Sequence, residues 1–204
     1  MDRIFRNKII TFCIAAVLFG SLAPLPLTGA EIVRKPASAT YKDPDTGLIF
    51  QPRVHNFEKV SVRVNPDPRF GTVIAYENET GTFADIFLYR LTAEANKPVT
   101  QELFRKHVTD TVQTLLTMNQ RSTQIKAVKR LEIPNTLPVQ AAETFQITVR
   151  DETFLSLLYL WEYKNCIIKV RITYSEQQKP ERNAAMQFVR KILTDTGKLE
   201  IKKK

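Results

Sequence analysis

The sequence predicts an α+β domain, an antiparallel β-sheet covered by two main helices. Three patterns carry that expectation. Apolar residues alternate with polar ones at period two through segments 59–64 and 142–150. Segments 100–118 and 180–196 instead repeat apolar residues at helical spacing. Tight clusters of turn formers separate the strands, which favours antiparallel neighbours with helices inserted between them. The element order is three strands, a helix, about four strands and a helix. A chain of 204 residues, 43% hydrophobic and 25% charged, holds one sizeable core and not comfortably two.

Residues 1–30 stand apart. Arg3, Arg6 and Lys8 precede the apolar run 9–19, and a polar stretch broken by Pro24 and Pro26 follows. That is the three-part layout of a secretory signal peptide, and the run is too short to span a bilayer. Small residues at Thr28, Gly29 and Ala30 place the cleavage after Ala30, so the expected destination is the periplasm or the extracellular space. The rival is a retained N-terminal anchor. Residues 31–40 read as a flexible tether, 41–197 as the single α+β domain and 198–204 as a basic tail.

Structure is expected to begin at the turn formers 41–47, leading into Leu48, Ile49 and Phe50. Asp43, Asp45 and Gly47 resemble a fragment of a calcium loop, but the other oxygen ligands and the closing Glu are missing, so a plain turn is expected. Val60, Val62 and Val64 alternate with polar neighbours in a half-buried strand, and 72–76 forms a second strand. Segment 82–89 is apolar on both faces apart from Asp85, which marks a central strand. Thr100 is then a candidate N-cap with Glu102 in the first turn. Phe104, Val108, Val112, Leu115 and Met118 recur as the stripe of an amphipathic helix of about five turns. Segment 122–133 is expected to be a strand closed by Pro134 and Pro138. Pro180 opens the last helix, Ala185, Phe188, Val189 and Ile192 form its buried stripe, and Gly197 suits a C-cap.

Segment 153–174 is long and oily enough to suggest a membrane span, yet Glu162, Lys164, Lys169 and Arg171 interrupt it. A spanning helix would place two basic residues in lipid at a cost of about 2.5–3.5 kcal/mol each. A hairpin turning at Lys164 and Asn165 pairs Tyr163 with Cys166, Trp161 with Ile168, Tyr159 with Val170, Leu157 with Ile172 and Leu155 with Tyr174. The mixed face and the turn take all four charges. The pattern predicts a β-hairpin of a soluble core.

The chemistry of known site motifs is sparse. Loss of residues 1–30 would remove Cys13, Arg3, Arg6, Lys8 and Asp2, leaving 27 Lys and Arg against 20 Asp and Glu, a charge of +7. One cysteine, Cys166, would remain, so no internal disulfide is expected. His55 and His107 are the two histidines, and no HxxxH, CxxC, GxSxG, GxxxxGK[ST] or GxGxxG spacing occurs. No catalytic, cofactor-binding or metal residues are assigned. Cys166 is expected to pack as a small hydrophobe, and His107 to sit at the edge of its helix stripe. The basic runs 126–130 and 202–204 suggest weak contact with anionic surfaces, not specific nucleic-acid recognition.

The segment YKDPDTGLIF, the strand ends VNPDPRFGTVIAYE and FADIFLY, and the later YSEQQKPERNAAMQFVRKIL carry a resemblance. In element order, residues 41–196 resemble uncharacterised exported bacterial proteins and the fold shared by the PsbP oxygen-evolving subunit and a nuclear Ran-release factor. The resemblance implies a sheet covered by helices and a partner-binding role; no functional residue carries over with it. The expected function is an exported, non-catalytic accessory protein that binds an unidentified protein or small ligand. The alternatives are an enzyme assembled from distant residues, Cys166 with a histidine, and a peripheral binder of anionic membrane.

Overall fold

The computed structural model describes residues 32–92, 94, 97–117, 123–130, 140–149, 151–177 and 179–201. The expected signal peptide, the prolines 134 and 138, and the final lysines lie outside the described residues. In chain order the elements are β1 (Val33–Lys35), β2 (Tyr41–Lys42), β3 (Ile49–Phe50), β4 (Arg53–Val54), β5 (Phe57–Val64), β6 (Thr72–Asn78) and β7 (Phe83–Tyr89). Then come α1 (Gln101–Thr117), β8 (Thr123–Arg130), β9 (Ala141–Val149), β10 (Glu152–Tyr163), β11 (Cys166–Ser175) and α2 (Lys179–Ile201).

Nine strands form one antiparallel sheet in the order β1-β5-β6-β7-β11-β10-β9-β8, with β4 paired to β5 off that path. Strands β2 and β3 make a separate small hairpin. The long hairpin β10–β11 has the register expected from sequence, from Tyr163 opposite Cys166 to Leu155 opposite Tyr174. Its turn residues Lys164 and Asn165 both have positive φ, 51° and 62°, the geometry that matches a two-residue loop to the twist of its strands. Segment 83–89 is central, flanked by β6 and β11.

Alternation along the strands sends side chains to two faces. One face carries Phe57, Val62, Ile74, Tyr76, Ile86, Trp161, Ile168, Val170 and Ile172, and helix α2 packs Ala185, Phe188, Val189 and Ile192 into the same cluster. The Phe188 ring lies 4.7 Å from that of Phe57 and 5.2 Å from that of Tyr76. The small hairpin adds Tyr41, Leu48 and Phe50 to this side. The opposite face gathers Phe87, Tyr89, Phe145, Ile147, Leu158, Leu160 and Ile167 with Phe104 and Leu115 of helix α1. No helix of the described residues is long and apolar enough to cross a membrane.

Three expectations need correction, and a fourth holds. The segment read as a tether contains β1, which pairs with β5 from Val33 opposite Val64 to Lys35 opposite Val62; three exposed residues are too few for periodicity to register. A β-bulge between Lys59 and Ser61 breaks the valine alternation, so Val60 is 48% exposed while Lys59 is buried. The Lys59 Nζ is satisfied there by the carbonyls of Ala39 and Phe50 at 2.6 and 3.0 Å. Helix α2 runs through Gly197 to Ile201 instead of stopping at a C-cap, because Lys198, Leu199 and Glu200 are good helix formers that carry it past one glycine. Asp43 does make a plain turn, accepting from the Thr46 amide at 2.9 Å and the Thr46 hydroxyl at 2.7 Å.

Trp161 has no solvent exposure and sits in the centre of the α2-side core. Trp161→Ala is expected to destabilise the domain by about 3–5 kcal/mol through lost packing, read as a lower urea midpoint with unchanged slope. Cys166→Ala is expected to cost only about 1 kcal/mol in the same measurement.

Candidate functional site

The charges that the hairpin sends to its mixed face do not end in solvent. Lys169 and Arg171, two positions apart on β11, point to the α1 side of the sheet, and each is about 5–6% exposed. Sequence alternation identifies their face but not their depth. That face carries Leu158 and Leu160 of β10 on one side and Asp85 and Phe87 of β7 on the other, with Arg171 opposite Asp85 and Lys169 opposite Phe87. Beyond them the strands continue with Ala75 and Ser61 in the Asp85 row and with Val73 and Arg63 in the Phe87 row. Ala75, Ser61, Val73 and Arg63 keep partial solvent contact, so the island is closed toward β10 and more exposed toward β5.

Its partners are unusual. The Arg171 Nε donates to the Ser156 hydroxyl at 3.0 Å, and that hydroxyl is bonded to the Thr173 hydroxyl at 2.9 Å. The Arg171 Nη2 is buried and has no hydrogen-bond partner among the described residues. The Lys169 Nζ lies over the Phe87 ring at 4.1 Å and the Tyr89 ring at 5.6 Å, a cation–π box. The Tyr89 hydroxyl in turn bonds the His107 Nε2 of helix α1 at 2.6 Å, and the Thr111 hydroxyl lies 3.5 Å from the same nitrogen. The stripe of α1 thus places His107 beside the island, as the edge residue expected from sequence.

Burial sets the protonation of the cluster. Loss of water pushes the Lys169 ammonium down to about 7, with Arg171 adding to the effect and Asp85 opposing it. The same desolvation pushes the Asp85 carboxyl up to about 6, even though Arg171, Arg63 and Lys169 all favour its ionised form. Burial also lowers Arg171 to about 10 and His107 to about 4, the nearby Lys169 contributing to the latter. Lys169, Arg171 and Arg63 thus lie around Asp85, with Glu77 in the next row of the same face.

Cys166 is separated from all of this. It lies on the α2 side of the sheet, whereas Tyr89 and its partner His107 lie on the α1 side. The thiol is 2% exposed, and burial pushes it up to about 11 against the opposing pull of Arg90. It borders a cavity of about 120 Å³ shared with Asp43, Asp45 and Arg90. His55 is exposed in the β4–β5 turn. The structure therefore brings neither histidine to the cysteine. A larger cleft of about 480 Å³ opens at the start of α1, between Phe104, Arg105 and Val108 on one side and Gln140, Ala141 and Glu162 on the other. Among the described residues no group of three His, Cys, Asp or Glu side chains is placed to hold a metal ion.

No family model matches the chain, and no curated protein matches it. Among solved structures it is similar to the solution structure of cyanobacterial PsbP (CyanoP) from Synechocystis sp. PCC 6803. The two are 11% identical, with 80% of this chain and 91% of that chain covered at a TM-score of 0.46.

Two outcomes are expected from this chemistry. A lysine held near 7 when folded and near its ordinary value when unfolded binds fewer protons in the native state between those limits. Stability should then rise as pH rises from about 7 to about 9, by on the order of 1–3 kcal/mol. Lys59, also lowered by burial, contributes with the same sign. Urea unfolding should show the rise in the wild type and lose most of it in Lys169→Met. Separately, Cys166 should react slowly with a disulfide reagent at neutral pH in the native protein and rapidly in denaturant.

Proposed function

We propose that this chain is an exported envelope protein that performs no chemistry of its own and acts by binding a partner or ligand on the α1 side of its sheet. The observation that carries the reading is the buried Lys169 and Arg171 pair. Withdrawing two neighbouring basic groups from water costs several kcal/mol for each that is held charged, and no ion pair to either offsets it among the described residues. Such an arrangement is a poor way to stabilise a sheet and a good way to hold a surface ready for something negative. The helices divide the sheet between them: α2 over one face, α1 over part of the other, with the β5–β7 end as the contact surface. The sealed, high-pKa Cys166 speaks against the thiol-enzyme alternative.

A weaker contact with anionic surfaces is assigned to β8, a terminal strand in the sheet order with Lys126 and Val128 both exposed. Its attraction would be screened within about 8–10 Å at physiological salt.

A photo-crosslinking residue placed at the half-exposed Ala75 should capture a discrete partner from envelope extract, and the same residue at Gln113, on the exposed side of α1, should not. Absence of an Ala75 adduct, or equal adducts at both positions, would count against the reading. Export itself is tested by mass spectrometry of the native protein, whose chain should start at Glu31; a full-length chain in the membrane fraction would establish the retained anchor instead.

A further inference from the structure

We propose that the β7–β11 island is a binding site for an oxyanion group, a carboxylate or a phosphate, held between Arg171 and Lys169. The inference rests on the reading of this face as a binding surface and adds the chemistry of what binds there.

Four observations converge on it. A guanidinium has five donors in a fixed fork, and Arg171 uses its Nε on Ser156 while its buried Nη2 has no partner. Leaving such a donor unmet is costly, and a two-oxygen acceptor is the complement of the fork. Lys169 stands two residues along on the same face, its ammonium lying over aromatic rings with no hydrogen bond to a protein oxygen among the described residues. A third cation, Arg63, is close enough to act on Asp85 from the β5 side, and Glu77 stands in the next row of the same face. Val73, Ala75 and Ser61 are partly exposed on the same face and mark an approach from the β5 end that is both apolar and polar. An oxyanion arriving along that path exchanges water for two cations in a low-dielectric setting, where the attraction is far stronger than at the surface.

The groups that face Lys169 are Arg171, Asp85, the Tyr89 hydroxyl and His107 from α1, with Arg63 farther along the sheet. None of them offers it a fixed counter-charge except Asp85, which the cation opposite it on β11 also attracts. A bound oxyanion supplies that charge. Occupancy should then raise the Lys169 protonation midpoint, a signature that nonspecific surface binding of an anion would not produce.

The test is titration of the full exported chain with inorganic phosphate, acetate and succinate, with chloride as control, followed by calorimetry and by NMR of the lysine side chains. The expected result is saturable binding of phosphate or of the carboxylates, an upward shift of the Lys169 midpoint, and weakening of at least about tenfold in Lys169→Met and in Arg171→Met. Which probe binds tighter separates a phosphate ligand from a carboxylate ligand. Replacing a buried cation by a hydrophobe of similar volume tends to preserve folding, and thermal unfolding verifies that each variant is native. If Arg171→Met fails to fold, Lys169→Met and the wild-type Lys169 shift still decide the matter. The site is overturned if no probe shifts Lys169 at millimolar concentration, or if folded Lys169→Met binds as tightly as the wild type. Oxyanion binding without a crosslinked partner would keep the site and refute the partner; a crosslinked partner without oxyanion binding would do the reverse.

Discussion

The two-residue turn at Lys164 and Asn165 is the constraint on which the rest depends. Its left-handed backbone leaves a single way to pair β10 with β11, and a slip of one residue would turn every side chain of the hairpin to the other face. With the turn fixed, Trp161, Ile168, Val170 and Ile172 go to the α2 side together, and Leu158, Leu160, Lys169 and Arg171 go together to the other. The Lys164 ammonium also ties the turn to the carbonyl of Thr46, so the small β2–β3 hairpin is anchored to the same corner. Strand β7 on one flank and β9 on the other take their registers from these two strands. The register that buries the tryptophan is thus also the register that buries the cations.

The sequence was most legible where pattern and register coincide. The hairpin could be paired residue by residue, because its apolar face tolerates one arrangement and its charges reject a helix in lipid. The order of the long strands and both helices was legible for the same reason, from period two and helical spacing. What could not be read is instructive. Strands of two or three residues, such as β1 to β4, carry no periodicity at all. The bulge at Val60 inserts one residue and silently reverses the meaning of the alternation before it. The site itself was half legible: alternation places Lys169 and Arg171 on one face and Asp85 in a central strand, but nothing local says that the two strands are neighbours or that this face is closed over. Depth is a property of the neighbours, Phe87, Tyr89, Leu158 and helix α1, that only the tertiary structure assembles.

The two faces divide the labour of the sheet. The α2 side is a dry aromatic core in which Phe57, Tyr76 and Phe188 meet ring to ring, and it supplies packing that tolerates little change. The α1 side combines an apolar cluster under the helix with a polar row that reaches the open end through Asp85, Ala75 and Ser61. Stability gained on the first face allows the second to hold groups that are expensive to bury. Arg171 is also braced: Ser156 and Thr173, from the two hairpin strands, form a hydroxyl pair that holds its Nε.

The open sheet ends on strands β1 and β8, and neither is built to recruit another chain. Strand β1 is three exposed residues long, and β8 is interrupted by a bulge between Ala127 and Lys129 that pushes Val128 out of line. If two copies met edge to edge through β8, the bulge would spoil the ladder and Lys126 of each would approach the basic run of the other. Growth into fibres by strand addition is therefore opposed at both ends. Each end of the sheet thus offers its own copies a poor template, which keeps folded chains from pairing with one another.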